Sequence, residues 1–134
     1  MTAADHTFPV RVYWEDTDAG GIVYHTSYLR FLERGRTELL RSRGVEQQAM
    51  LAEHGQAFAV RQMTIDFMRP ARLDDLLDVH TRVEAIGGAS VTLVQEIRRG
   101  ADTLILATMT IAFVSGGRPQ RLPRALASKL KPEP

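Results

Sequence analysis

The stretch Val12-Tyr13-Trp14-Glu15-Asp16-Thr17-Asp18-Ala19-Gly20-Gly21-Ile22-Val23-Tyr24-His25-Thr26-Ser27-Tyr28-Leu29 decides the fold, because the spacing of apolar residues changes inside it. On its N-terminal side Phe8, Val10, Val12 and Trp14 alternate with Pro9, Arg11, Tyr13 and Glu15, the period of a strand. An acidic loop with two glycines, Asp16 to Gly21, interrupts that pattern. Beyond it Tyr28, Phe31, Leu32, Gly35 and Leu39 fall at helical spacing, with Arg30, Glu33, Arg34, Arg36 and Glu38 on other faces. Thr26 or Ser27 can cap the start of this helix, and Gly44 can end it. Gly35 inside it costs about 1 kcal/mol relative to Ala, which predicts a close backbone contact there. A weaker helical piece runs from Val45 to His54 and stops at Gly55.

Downstream the pattern returns to strands. Met63, Ile65 and Phe67 alternate with Gln62, Thr64 and Asp66 up to Pro70. Leu77, Val79, Thr81 and Val83 alternate with Asp78, His80, Arg82 and Glu84, and Gly87-Gly88 turns the chain into Ser90 to Arg98. Gly100-Ala101-Asp102 turns it again into Thr103 to Val114, which is apolar on nearly both faces. The expected class is α+β, a strand and a long helix followed by four strands in a meander. One helix cannot cover both faces of such a sheet, so a partner subunit is expected to cover part of it. The last segment, Arg118 to Pro134, carries Arg118, Arg121, Arg124, Lys129 and Lys131 against Glu133 and reads as a solvated or loosely packed basic tail.

With 134 residues the chain suits a single domain, residues 1–134, and its 44% hydrophobic and 25% charged content is that of a globular protein. Seventeen Lys and Arg against 16 Asp and Glu give a formal charge of +1, so no whole-domain charge argues for nucleic acid or a membrane surface. The absence of cysteine excludes disulfides, thiolate metal sites and cysteine nucleophiles. Met1 to Pro9 lacks the basic and apolar regions of a secretory signal, and no stretch has the roughly 20 apolar residues of a membrane span. The expected compartment is the cytoplasm.

The opening stretch also carries the chemistry. A carboxylate-rich loop leads through Gly20-Gly21 to a histidine at a helix entrance. First-turn amides of a helix are unpaired donors with a partial positive charge, suited to a carbonyl under attack and to the oxyanion that follows. A nearby carboxylate can activate water or attack directly. Carboxylate, oxyanion donor and apolar wall are what thioester hydrolysis requires. Plainer roles compete: Asp16 and Asp18 flank a turn in which Asp commonly bonds its own backbone, and His25 can satisfy a local polar group. A magnesium or calcium site at Glu15, Asp16 and Asp18 lacks both a calcium-loop pattern and a second carboxylate cluster. His6, His54 and His80 are isolated in sequence. No Walker loop, Rossmann glycine pattern, nucleophile elbow or zinc spacing is present.

The run from Glu15 to His25 resembles the signature of the YbgC-like acyl-CoA thioesterases, in the 4-hydroxybenzoyl-CoA thioesterase branch of the hot dog superfamily. The resemblance continues through Tyr28 to Glu38, then Arg69-Pro70-Ala71, Asp75, Gly87-Gly88-Ala89-Ser90 and Arg118 to Pro123. It implies a hot dog fold, a five-stranded antiparallel sheet wrapped around a long central helix, in dimers that pair into tetramers. It implies Asp18 as catalytic carboxylate, nucleophile or general base, and His25 as a second catalytic residue whose N–H polarises the thioester carbonyl. Gly21, Val23, Tyr24 and His25 would bind the substrate, and no cofactor is implied, CoA being part of the substrate. Many relatives have tyrosine where this chain has Trp14, so no phenolic hydroxyl can act there. Two rivals follow from the same resemblance. Acyl-CoA hydratases of this fold have Asp and His separated by four residues, whereas six separate Asp18 from His25. A non-catalytic role would involve acyl carrier protein or Tol-Pal components, with the basic tail and outer helix face as candidate surfaces.

Overall fold

The computed structural model describes residues 5–132; Met1 and Glu133, named above, lie outside that range. The elements are β1 (His6–Arg11), α1 (Ser27–Ser42), α2 (Gln47–His54), β2 (Gln56–Phe67), β3 (Leu76–Ile86), β4 (Ser90–Arg99), β5 (Asp102–Ser115), β6 (Arg118–Pro119) and α3 (Arg124–Lys129). The sheet is antiparallel in the order β1-β3-β4-β5-β2, with the two-residue β6 added to β5. This is the expected hot dog architecture. Only β3 to β5 form a meander. The expected four-strand meander is corrected because β2 pairs with β5, so the β2–β3 connection crosses the sheet. The first strand is shorter than its alternation implied, since Trp14–Asp16 winds into a 3-10 turn.

The long helix ends as its sequence foretold. Gly44 at φ 76° donates its N–H to Arg41 O, and the Val45 N–H reaches Leu40 O, the two bonds of a Schellman cap. Its start differs from expectation. Thr26 occupies the N-cap position but makes no side-chain capping bond. One face of α1, including Phe31, Leu32 and Leu39, is buried against β1 and β3. Gly35 is the point of closest approach, where a Cβ would stand 2.5 Å from Val79 Cγ1. That contact is the predicted reason for a glycine in mid-helix.

The core-facing stripes of β3, β4 and β5 are buried, whereas β2 has no fully buried residue. A bulge between Val60 and Gln62 shifts its alternation by one. As a result Phe58, Val60, Met63, Ile65 and Phe67 all pair with the core-facing residues Phe113, Ile111, Met109, Ala107 and Ile105 of β5. The C-terminal segment is docked, contrary to the loosely packed tail expected from its composition. Leu122 and Leu130 are buried, the Leu122 N–H reaches Gly88 O, and Arg43 Nη1 donates to Lys129 O and Lys131 O. Two apolar side chains and backbone carbonyls anchor a stretch whose basic groups stay outside. No described helix is long and apolar enough to cross a membrane.

Candidate active site

The acidic loop folds back on the segment that leads into α1. The Asp18 N–H donates to Ile22 O, the Gly21 N–H to Asp18 O, and Thr17 bridges to Val23. Gly21 sits at φ 78°, in the left-handed region where a side chain is strained. Asp16 and Asp18, two positions apart, have different fates. Asp16 is 5% exposed. Its Oδ2 accepts the Tyr13 N–H at 2.8 Å, its Oδ1 lies 3.4 Å from Arg30 Nη2, and its carbonyl accepts the Tyr24 N–H. It is a structural clasp. Asp18 is exposed, with Oδ1 accepting the Gly20 N–H at 2.8 Å. The local bond anticipated for a turn aspartate is therefore present, and it holds one carboxylate oxygen.

A second loop supports the first. The Val23 N–H donates to Ala71 O, Ile22 bridges to Arg72, and the Leu73 N–H reaches Gly21 O at 3.4 Å. This platform is braced from behind by Asp75. Its Oδ2 accepts the Arg72 N–H at 2.9 Å and Arg99 Nη1 at 2.8 Å, and Arg99 also donates to Pro70 O. Burial raises the Asp75 pKa, but the Arg72 N–H and the Arg99 guanidinium outweigh it and hold the carboxyl below its usual value. Tyr28 ties the helix to the same platform, its hydroxyl oxygen accepting the Ala71 N–H at 2.8 Å. Burial pushes the Tyr28 pKa up, partly opposed by that N–H and by Arg99.

At the helix entrance lies a cavity of about 260 Å³ lined by Val23, His25, Tyr28, Phe67, Met68, Arg69 and Pro70. The His25 ring stacks obliquely on Tyr24 with centroids 4.5 Å apart and meets the Phe67 edge at 6.5 Å. The Val23, Tyr24 and Ser27 amides are engaged by Ala71, Asp16 and Tyr24 carbonyls, and none of these bonds uses the His25 amide. Val23 and His25 of the expected site thus line the cavity. Asp18, Gly21 and Tyr24 stand outside its lining, on the loop that leads to it. Trp14 lines a separate groove of about 380 Å³ with Arg11, Tyr13, Leu73 and Asp74, sharing no residue with the cavity.

Sequence reading missed Phe67, Met68 and the Asp75–Arg99 brace as site components. Phe67-Met68 directly before Arg69-Pro70 was the available signal, two large apolar residues where a strand must stop. For the brace no local signal exists, because the partners are 24 positions apart.

The family model described as Thioesterase superfamily matches residues 20–106. The acyl-CoA thioester hydrolase YbgC of Escherichia coli O6:H1 is 42% identical over 92% of this chain and 94% of its own length. The acyl-CoA thioesterase YbgC of Haemophilus influenzae is 48% identical over 84% of this chain and 82% of its own. A solved structure titled as a probable thioesterase from Bartonella henselae superposes with a TM-score of 0.84 at 42% identity, covering 88% of this chain and 98% of that one.

Proposed function

The chain belongs to the thioesterase superfamily, and from that premise we propose how its residues divide the work of hydrolysing an acyl-CoA. It is an acyl-CoA thioesterase, splitting the thioester into free acid and CoA. The observation that carries the residue assignment is the contrast between its two loop aspartates. Asp16 is consumed by structure, whereas Asp18 presents an exposed carboxylate on a loop stitched to the segment carrying His25. The thioester would lie between Asp18 and the cavity mouth, with its carbonyl oxygen toward the His25 amide and the start of α1. In one route Asp18 Oδ2 takes a proton from water as the water oxygen bonds to the carbonyl carbon. In the other Oδ2 bonds to that carbon itself, and water later cleaves the anhydride. In both the carbon–sulfur bond breaks, the electron pair leaves on sulfur, and the thiol regains a proton. A backbone donor to the oxyanion is typically worth about 2.7–4 kcal/mol. His25, on the cavity wall, orients the substrate or relays the proton, and Gly21, Val23 and Tyr24 shape the approach. The chemistry is assigned to protein groups alone, with CoA entering as part of the substrate.

A site so open in one chain needs another wall. β2 presents an edge of 12 residues, and Val60 and Phe67 on it and Met68 directly after it are 46%, 53% and 57% exposed. Exposed edges of this kind are templates for pairing. A second copy adding its own β2 would extend the sheet, cover these side chains and enclose the substrate, and two such dimers would form the tetramer. The measurement that tests the assignment is turnover of Asp18→Asn, which retains loop geometry and removes the charge. A fall in kcat of at least about a hundredfold, with unchanged melting and oligomer size, is expected. Turnover like wild type would remove Asp18 from the mechanism.

A further inference from the structure

Among the described residues β2 pairs only with β5, so its other edge offers backbone N–H and C=O groups along 12 residues. β1, at the opposite edge of the sheet, has six residues and carries Pro9, which has no N–H to give. A twofold dimer built on β2 is antiparallel and pairs residue i with residue j at a constant sum. Directly opposite residues then put their side chains on the same face of the sheet. These two rules select the register.

Only one register pairs all 12 residues, and it sets Gln56 opposite the partner's Phe67. The sum is odd, so in an unbroken strand every core-facing residue would meet an outward-facing one. The bulge between Val60 and Gln62 removes that conflict. Core-facing positions are even-numbered before it, at Phe58 and Val60, and odd-numbered after it, at Met63, Ile65 and Phe67. Phe58 therefore meets Ile65 of the partner subunit, and Val60 meets the partner's Met63. On the outer face Ala57 meets the partner's Asp66, Ala59 the partner's Thr64 and Arg61 the partner's Gln62, so no like charges stand directly opposite. The bulge makes this edge complementary to itself.

That register brings together what one chain keeps apart. The cavity at the helix entrance is walled on its β2 side by Phe67. A second cavity of about 190 Å³ is lined by Phe58, Val60, Glu33, Thr37, Gln47 and Arg36 among others. Arg36, expected on a polar face of α1, is buried there, its Nη1 donating to Gln95 Oε1 and Met109 Sδ. Within one chain Phe67 and Phe58 are about 30 Å apart along the strand, at 3.3 Å per residue. Across the paired edges Phe67 stands about 8 Å from Phe58 of the partner subunit, two residues along and one strand spacing over.

We propose that each active site is shared between two chains, with the partner's Gln56 and the partner's Phe58 closing the cavity beside Phe67. The inference rests on the thioesterase reading and names what the second copy contributes to it. Phe58 of the partner subunit supplies an apolar wall for the acyl group, and the partner's Gln56 supplies its polar rim. Phe67, 53% exposed in one chain, is covered by the same contact.

The chain has no cysteine, so the register can be read by cross-linking. Ala59→Cys combined with Thr64→Cys should oxidise to a covalent dimer, since these positions face each other across the boundary but lie about 16 Å apart within a chain. Ala59→Cys combined with Asp66→Cys, two residues out of register, should run as a monomer on a denaturing gel. Sharing of the site is read by mixing. Gln56→Trp should overfill the partner's cavity and lower kcat/KM at least about tenfold. Co-expressed in equal amounts, Gln56→Trp and Asp18→Asn should regain about a quarter of wild-type activity, because half of the dimers are mixed and each holds one intact site. No recovery in a preparation shown to contain mixed dimers places each site within one chain and overturns the inference. An unimpaired Gln56→Trp does the same, as does failure of the in-register pair to cross-link. Failure of wild type to hydrolyse any acyl-CoA overturns the functional reading instead, while the cross-link still reports the register.

Discussion

The two flanks of α1 are built to opposite standards. Toward β3 and β4 the helix is in hard contact, with Gly35 pressed on Val79 and the fully buried Gln95 bonded to both helix and sheet. Toward β2 the same helix stands off, leaving a half-open apolar stripe and a cavity at either end. One helix thus serves as a packed core element on one side and as a wall of two cavities on the other. Close packing fixes where the helix sits.

The comparison breaks most visibly on the packed flank. Gly35→Val would force a branched side chain into Val79 and Thr81, and overpacking there should lower the free energy of unfolding by about 3 kcal/mol in urea titration. A loss under about 0.5 kcal/mol would mean that the helix can retreat from the sheet, and the contrast between flanks would collapse.

A middle-sized effect is expected at the brace beneath the acidic loop. Asp75→Ala removes the acceptor for Arg72 and Arg99 and should cost about 1–2 kcal/mol at pH 7. Because the Asp75 pKa is lowered on folding, its contribution is present above the unfolded value of about 3.9 and is lost as pH falls through the folded value. The stability gap between wild type and variant should therefore close below about pH 4. A gap independent of pH would assign the loss to packing. The same variant should lower kcat more than it raises KM, since it loosens the platform under Gly21 to Val23.

The smallest stability effect is expected on the open flank. Phe67→Ala removes a half-exposed ring, so unfolding should change by at most about 1 kcal/mol in the isolated subunit. Its signature should be catalytic, a fall in kcat/KM for acyl-CoAs through loss of one wall of the cavity at the helix entrance. A large loss of monomer stability would show that Phe67 belongs to the core, not to the site.

Most elements of this fold are written in local chemistry. The strand periods, the helix from Ser27 to Ser42, its glycine stop and the hairpin at Gly87-Gly88 all depend on residues within a few positions of one another. The exceptions are equally specific. β2 was recognised only from Gln62 onward, because the bulge at Arg61 breaks the alternation that would have revealed Gln56 to Val60. Arg36 read as a surface cation because charge outweighs position in any sequence pattern, and its neutral acceptors Gln95 and Met109 are 59 and 73 positions away. The C-terminal segment read as a tail because two anchoring leucines are few among its basic residues.

The sequence by itself determined the element types, the acidic glycine loop at the helix entrance and, through its close resemblance to a family, the reaction. Tertiary structure decided which of two neighbouring aspartates is held inside and which stays exposed, since that depends on Tyr13 and Arg30 converging on Asp16. It also decided that β2 lies at the sheet edge and that a cavity opens between its Phe67 end and the helix entrance. Local propensity specifies what each segment becomes. Which segments share a boundary is fixed by long-range pairing and burial, and a substrate site is a property of such boundaries.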